Sequence, residues 1–169
     1  MCGIAGYFNP DQNYAENPKQ NFHTLSRMIN TMNHRGPDTY GHTIINSCCL
    51  AHTRLSIIDL ENGRQPMSYT KDGNTYYIVY NGEIYNYKEV KKTLLRKNYT
   101  FETNSDTEVI IAAFCHYGPG FVKELNGIFA IAIYDSMRNT LYLYRDRFGV
   151  KPLYYTKTGD TLVFASRID

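Results

Sequence analysis

"IFAIAIYD" (128–135), "TLYLYRDR" (140–147), "PLYYTK" (152–157) and "TLVFAS" (161–166) follow one another with only short turn-forming segments between them. "DSMRN", "RFGVKP" and "KTGD" carry the Gly, Pro, Asn and Asp residues that reverse a chain, and the runs themselves are rich in β-branched and aromatic residues. The pattern predicts four successive antiparallel strands in a meander. The first run is apolar at nearly every position, as expected of a strand covered on both faces. The covering layers must come from the rest of the chain.

Upstream, "CGIAGYF" (2–8) reads as a strand whose small residues permit close packing, followed by a polar loop, "NPDQNYAENPKQ" (9–20). Leu25, Met28, Ile29 and Met32 recur at helical spacing and predict a helix over roughly residues 20–33, ending at the turn "NHRGPDT". "GHTIIN" (41–46) and "CCLAHTRLSII" (48–58) read as strands, "DLENGRQPM" (59–67) as a loop and "TYYIVYNGEIYN" (75–86) as a strand region. Two amphipathic helices follow: "YNYKEVKKTLLRKN" (85–98), begun by an Asn cap, and "NSDTEVIIAAFCHYG" (104–118), with Ser105 or Asp106 at its start and Gly118 after its end. A short helix is expected at "PGFVKEL" (119–125). The expectation is sheets with helices packed outside them.

At 169 residues the chain suits one domain with a real core. A net charge of +2 gives no general reason to expect nucleic acid or an acidic membrane. No run approaches the length of a membrane span, and residues 1–15 lack the pattern of a signal peptide, so a cytoplasmic location is expected. Cys48 and Cys49 are adjacent and form no CxxC pair, and the five histidines are scattered, so neither a disulfide framework nor a metal site is expected. Cys48, Cys49 and Cys115 are assigned to packing.

Cys2 stands apart from these. If Met1 is removed, its thiol lies within reach of its own α-amine, so nucleophile and general base come from one residue. On its own a second-position cysteine reads first as a small apolar residue in a buried strand. Asn81 and Gly82 have the chemistry of oxyanion donors, and Asn-Gly is also the leading two-residue hairpin turn. Arg54 is suited to grip a carboxylate through two hydrogen bonds, and reads otherwise as a surface charge. Asp106 is suited to bind an ammonium group or to cap a helix.

Taken together and in order, "CGIAG", "HRGPD" (34–38), "RLSIIDLENGRQP" (54–66), "NGEIYN" (81–86), "SDTE" (105–108) and "RDRFGVKPLYY" (145–155) resemble the glutaminase domain of glutamine-hydrolysing asparagine synthetases. This is a class II glutamine amidotransferase. The resemblance spans the whole chain, residues 1–169, and implies the α+β fold of N-terminal nucleophile hydrolases: a four-layer αββα sandwich of two antiparallel sheets. It implies that Cys2 attacks the side-chain amide of L-glutamine, giving a thioester and ammonia, and that Asn81 and Gly82 form the oxyanion hole. Arg54 would hold the substrate α-carboxylate and Asp106 with Glu83 its α-ammonium region. The backbone of Arg54, Leu55, Ser56, Ile57 and Ile58 would line the same pocket.

No cofactor is implied for this domain. ATP and Mg²⁺ belong to a C-terminal synthetase domain, the partner implied alongside L-glutamine, and a homodimer is left open. Where the family continues "ASE" into that domain, this chain reads "ASRID", and the synthetase half with its "SGG" phosphate loop is expected to be absent. The competing expectation is a non-catalytic amino-acid-binding or domain-interaction module whose Cys2 stays blocked by Met1. "RDRFGVKPLYY" reads as a buried ion-pair turn or as a contact with the missing domain.

Overall fold

A computed structural model describes residues 2–36, 39–54 and 63–168. Nine strands, β1 (Gly3–Phe8), β2 (Thr39–Ile45), β3 (Cys48–Arg54), β4 (Met67–Lys71), β5 (Asn74–Ile84), β6 (Gly127–Asp135), β7 (Thr140–Arg145), β8 (Tyr154–Thr158) and β9 (Thr161–Ala165), form two sheets among the described residues. The first sheet has the order β2-β3-β1-β9-β8 and the second β4-β5-β6-β7, with every neighbouring pair antiparallel. The helices are α1 (Pro18–Thr31), α2 (Tyr87–Leu95) and α3 (Asp106–Tyr117), with a 3₁₀ segment at Gly118–Glu124.

Strand alternation decides the layers. Along β3, Cys48 and Leu50 face the second sheet and meet Val79, Ala130, Ala132 and Tyr134, whereas Cys49 and Ala51 face outward onto Leu25 and Ile29 of α1. Along β5 and β6, Ile78, Tyr80, Ile131 and Ile133 face outward onto α2 and α3. The result is the expected αββα order, and β6 is covered on both faces. Gly6 lets β1 sit in the centre of its sheet: a Cβ there would fall 2.4 Å from the Cys49 carbonyl oxygen and 2.7 Å from the Phe164 ring.

Several expectations change. The four C-terminal strands are not one meander: β6 and β7 extend the second sheet, while β8 and β9 join the first, where β9 pairs with the open edge of β1. That edge needs main-chain partners, and β9 supplies them. The crossing is made at "RDRFGVKP", where Arg145 and Asp146 bind main-chain groups. Arg145 donates to the carbonyls of Lys151 (2.9 Å) and Gly149 (2.7 Å), and the Asp146 carboxylate accepts from the N–H groups of Phe129, Phe148, Val150 and Lys151 at 3.0–3.2 Å. Burial alone would raise the Asp146 pKa, but these donors outweigh it and hold the carboxyl below its ordinary value.

Strand β4, whose residues alternate between half-buried and exposed, begins at Met67, the last residue of the segment read as a loop, and runs through residues the sequence left unassigned. Helix α1 begins at Pro18, which is accommodated in the first turn where its missing N–H costs nothing. Asn86 does not cap α2 through its side chain. Its amide instead bonds Glu124 O (2.9 Å) and Asn126 N (2.8 Å), tying α2 to the start of β6.

Candidate active site

The alternation that fills the space between the sheets with apolar groups also sets the site. On the inner face, β1 places Cys2 in the same phase as Ile4, β3 places His52 and Arg54 in the phase of Leu50, and β5 places Asn81 in the phase of Val79. Ile4 lies opposite His52 and Gly3 opposite Thr53, so Cys2 and Arg54 sit at the same end of the sandwich. There the apolar filling gives way to a pocket of about 240 Å³ lined by Cys2, His52, Arg54, Asn81, Gly82, Glu83, Asp106 and Lys151 among others. A larger groove of about 430 Å³, between α1 and the β8–β9 edge, holds none of the predicted site residues.

Asn81 and Gly82 are not a hairpin turn. They lie within β5, opposite Ala130 and Phe129 of β6. Gly82 is required there, since a Cβ would fall 2.2 Å from the Ile128 carbonyl oxygen. Asn81 is buried, and its Nδ2 has no hydrogen-bond partner among the described residues. A buried amide N–H left unpaired costs about 1–3 kcal/mol, so its place beside a thiol and a pocket calls for an explanation.

Ser105 is the N-cap of α3, its hydroxyl accepting from Thr107 N, which leaves the Asp106 side chain for other work. Asp106 Oδ2 accepts from the Tyr80 hydroxyl (2.8 Å) and from Ile84 N (3.3 Å). Burial raises its pKa above the ordinary carboxylate value, with those donors offsetting part of the rise. Buried Glu108 accepts from Glu102 N (2.8 Å), Thr103 N (2.7 Å) and the Thr103 hydroxyl (2.6 Å), fixing the loop that delivers Asp106. Arg54 ends β3 as a buried guanidinium, and Glu83 is exposed at the rim. Leu55, Ser56, Ile57 and Ile58 lie outside the described residues.

Four residues with a clear part in this arrangement carry no assignment from the sequence. Arg35 Nε donates to the Cys2 carbonyl (3.3 Å) and anchors the N-terminus at its base. Gly36 lets that turn lie across β3, a Cβ there falling 2.6 Å from Arg54 N. Gln65 accepts from Tyr80 N (2.6 Å) and donates to the Thr107 hydroxyl (3.3 Å), joining β5 to α3. His52 is almost fully buried, and burial drives its pKa down to about 3, so it is neutral at working pH. The signal for Arg35 and Gly36 was present in "HRGPD", whereas His52 and Gln65 are ordinary strand and loop residues until the fold brings them together.

The arrangement supplies a thiol, a buried amide donor, one buried cation and a half-buried carboxylate around one cavity. The family model described as "Glutamine amidotransferase domain" matches residues 1–169. The chain belongs to the glutamine amidotransferase family. It is 42 % identical over 168 residues to asparagine synthetase [glutamine-hydrolyzing] 3 of Bacillus subtilis (strain 168), covering 99 % of this chain and 27 % of that protein. It is also 37 % identical over 175 residues to amidase chyE of Penicillium rubens, covering 99 % of this chain and 26 % of that protein. The chain thus spans about a quarter of the length of these curated relatives.

Among solved structures, glutamine phosphoribosylpyrophosphate amidotransferase from B. subtilis superimposes with a TM-score of 0.76 at 20 % identity, covering 98 % of this chain and 42 % of that one. This likeness carries the fold. The amidotransferase chain matches the N-terminal, glutaminase part of the glutamine-hydrolysing asparagine synthetases. Among the described residues no helix is long and apolar enough to cross a membrane.

Proposed function

We propose that this domain hydrolyses L-glutamine to L-glutamate and ammonia through a thioester on Cys2. Removal of Met1 exposes an α-amine on the residue that carries the thiol, so nucleophile and general base come from one residue. The thiolate attacks Cδ of glutamine, and the carbonyl oxygen becomes an oxyanion received by Asn81 Nδ2 and the Gly82 N–H. The α-ammonium returns its proton to the departing nitrogen, the C–N bond breaks and ammonia leaves. Water then attacks the thioester, giving a proton to the α-amine, and glutamate departs as the thiol re-forms.

The substrate is a zwitterion with an amide at its far end. Arg54 binds the α-carboxylate, and Asp106 with Glu83 binds the α-ammonium. The observation that carries this reading is the buried Asn81 Nδ2, which has no hydrogen-bond partner among the described residues, in the pocket that Cys2 also lines. A donor so placed is stabilised by a developing negative charge.

In a longer protein built like the relatives, the ammonia would serve ATP-dependent synthesis of asparagine from aspartate. ATP and Mg²⁺ would belong to that C-terminal synthetase domain. The glutaminase reading is tested by ammonia release from the Met1-free protein, compared with Cys2→Ala and Arg54→Ala. Cys2→Ala should abolish release, and Arg54→Ala should raise KM more than it lowers kcat. Equal release from Cys2→Ala would overturn the mechanism.

A further inference from the structure

The pocket wall holds a second buried polar atom that the mechanism above does not use. Nε2 of His52 has no hydrogen-bond partner among the described residues, on a side chain 1 % exposed that lines the cavity with Cys2, Asn81 and Gly82. The backbone of Tyr80 stabilises an N–H on the ring, which marks a main-chain acceptor beside it. With Nε2 unpartnered, that N–H belongs to Nδ1. Nε2 therefore carries a lone pair. Among the described residues the pocket lining thus presents one unpaired donor, Asn81 Nδ2, and one unpaired acceptor, His52 Nε2, from facing sheets.

A primary carboxamide is the group that answers both: its oxygen accepts and its NH₂ donates. We propose that His52 Nε2 accepts a hydrogen bond from the side-chain NH₂ of glutamine, making His52 the residue that distinguishes an amide from an ester or an acid. This assignment rests on the glutaminase reading and adds to it. As the departing nitrogen gains its proton it becomes ammonium-like, so the same contact strengthens toward the transition state and favours turnover as well as binding. The γ-carboxylate of the product glutamate offers no N–H, and its lone pairs oppose that of Nε2. The same residue therefore favours release of product.

The test compares L-glutamine with L-glutamate γ-methyl ester, which reacts at the same thiol but cannot donate to His52. In the Met1-free protein, His52→Leu should lower kcat/KM for glutamine by about 10–100-fold, the range for a lost buried hydrogen bond. The ester should be hydrolysed at close to the parent rate, which also reports an intact Cys2 and a folded site. His52→Gln, whose amide oxygen can accept, should recover part of the glutamine activity, and glutamate should inhibit His52→Leu more strongly than the parent. Parallel losses on both substrates in both variants, or an unchanged amide-to-ester ratio, would overturn the assignment of His52 alone. A parent that hydrolyses neither substrate through Cys2 would overturn the glutaminase reading itself, and this inference with it.

Discussion

Asn81→Ala should separate catalysis from stability. The deleted amide has a buried Nδ2 with no partner among the described residues, so its removal leaves no other group unpaired through that atom. Relief of that desolvation is worth about 1–3 kcal/mol. The packing lost is that of three heavy atoms, up to about 2.4 kcal/mol at about 0.8 kcal/mol per methylene-sized group. The two offset, and β5 keeps its register because Asn81 pairs with Ala130 through the main chain. The variant should therefore melt within a few degrees of the parent, at about 2–4 °C per kcal/mol for a domain of this size. Turnover of glutamine should fall by about 10²–10³-fold, the cost of one oxyanion donor. Thermal unfolding and ammonia release on the same preparation measure both. Turnover within a few-fold of the parent would refute the reasoning, as would a loss of activity that only follows a loss of folded protein.

Asp106→Asn should weaken glutamine binding by about 10–100-fold through loss of a charged hydrogen bond, read as KM. The same change should stabilise the fold near neutral pH. Because the folded pKa of Asp106 is raised, the folded state favours its protonated form; the advantage of Asn should shrink as pH falls through that raised value and vanish below the ordinary carboxylate pKa, checked by denaturant midpoints against pH. Gly6→Ala should cost about 1–3 kcal/mol or more in stability, because its Cβ meets the Cys49 carbonyl and the Phe164 ring, and should lower the melting temperature accordingly. Thiol alkylation at pH 8 followed by peptide mapping should label Cys2 in preference to Cys48 and Cys49. Both of those are buried, and burial pushes Cys48 well above and Cys49 to about 11.

The sequence carried the elements more readily than their partners. Apolar alternation exposed β6, β7, β8 and β9, but a hairpin within one sheet and a crossing between two sheets look alike at that level. The decision is made by Asp146 and Arg145, which bind the main chain of residues 148–151 and turn it toward the open edge of β1. Likewise Asn81-Gly82 has the local chemistry of a turn, and only its pairing with Ala130 and Phe129 holds it in mid-strand.

The proposed nucleophile was legible because position two has a chemistry of its own. Arg54, Asn81 and Asp106 were each ambiguous alone and became informative as an ordered set. What alternation adds is their common face: Cys2, His52, Arg54 and Asn81 all continue the inward phase of strands whose other inward residues are core. His52 was missed for that reason, since a histidine in an apolar strand carries no local mark of the cavity it lines. Gln65 was missed because its partners, Tyr80 and Thr107, are distant in the chain.

The most direct measurement of the central claim is the intact mass of the protein quenched in acid during glutamine turnover, with peptide mapping of the N-terminus. The account predicts a species lacking Met1 and heavier by one glutamyl group carried on Cys2, absent from Cys2→Ala. Steady ammonia release from a protein that keeps Met1, or from Cys2→Ala, with no glutamyl group on the N-terminal peptide, would contradict it.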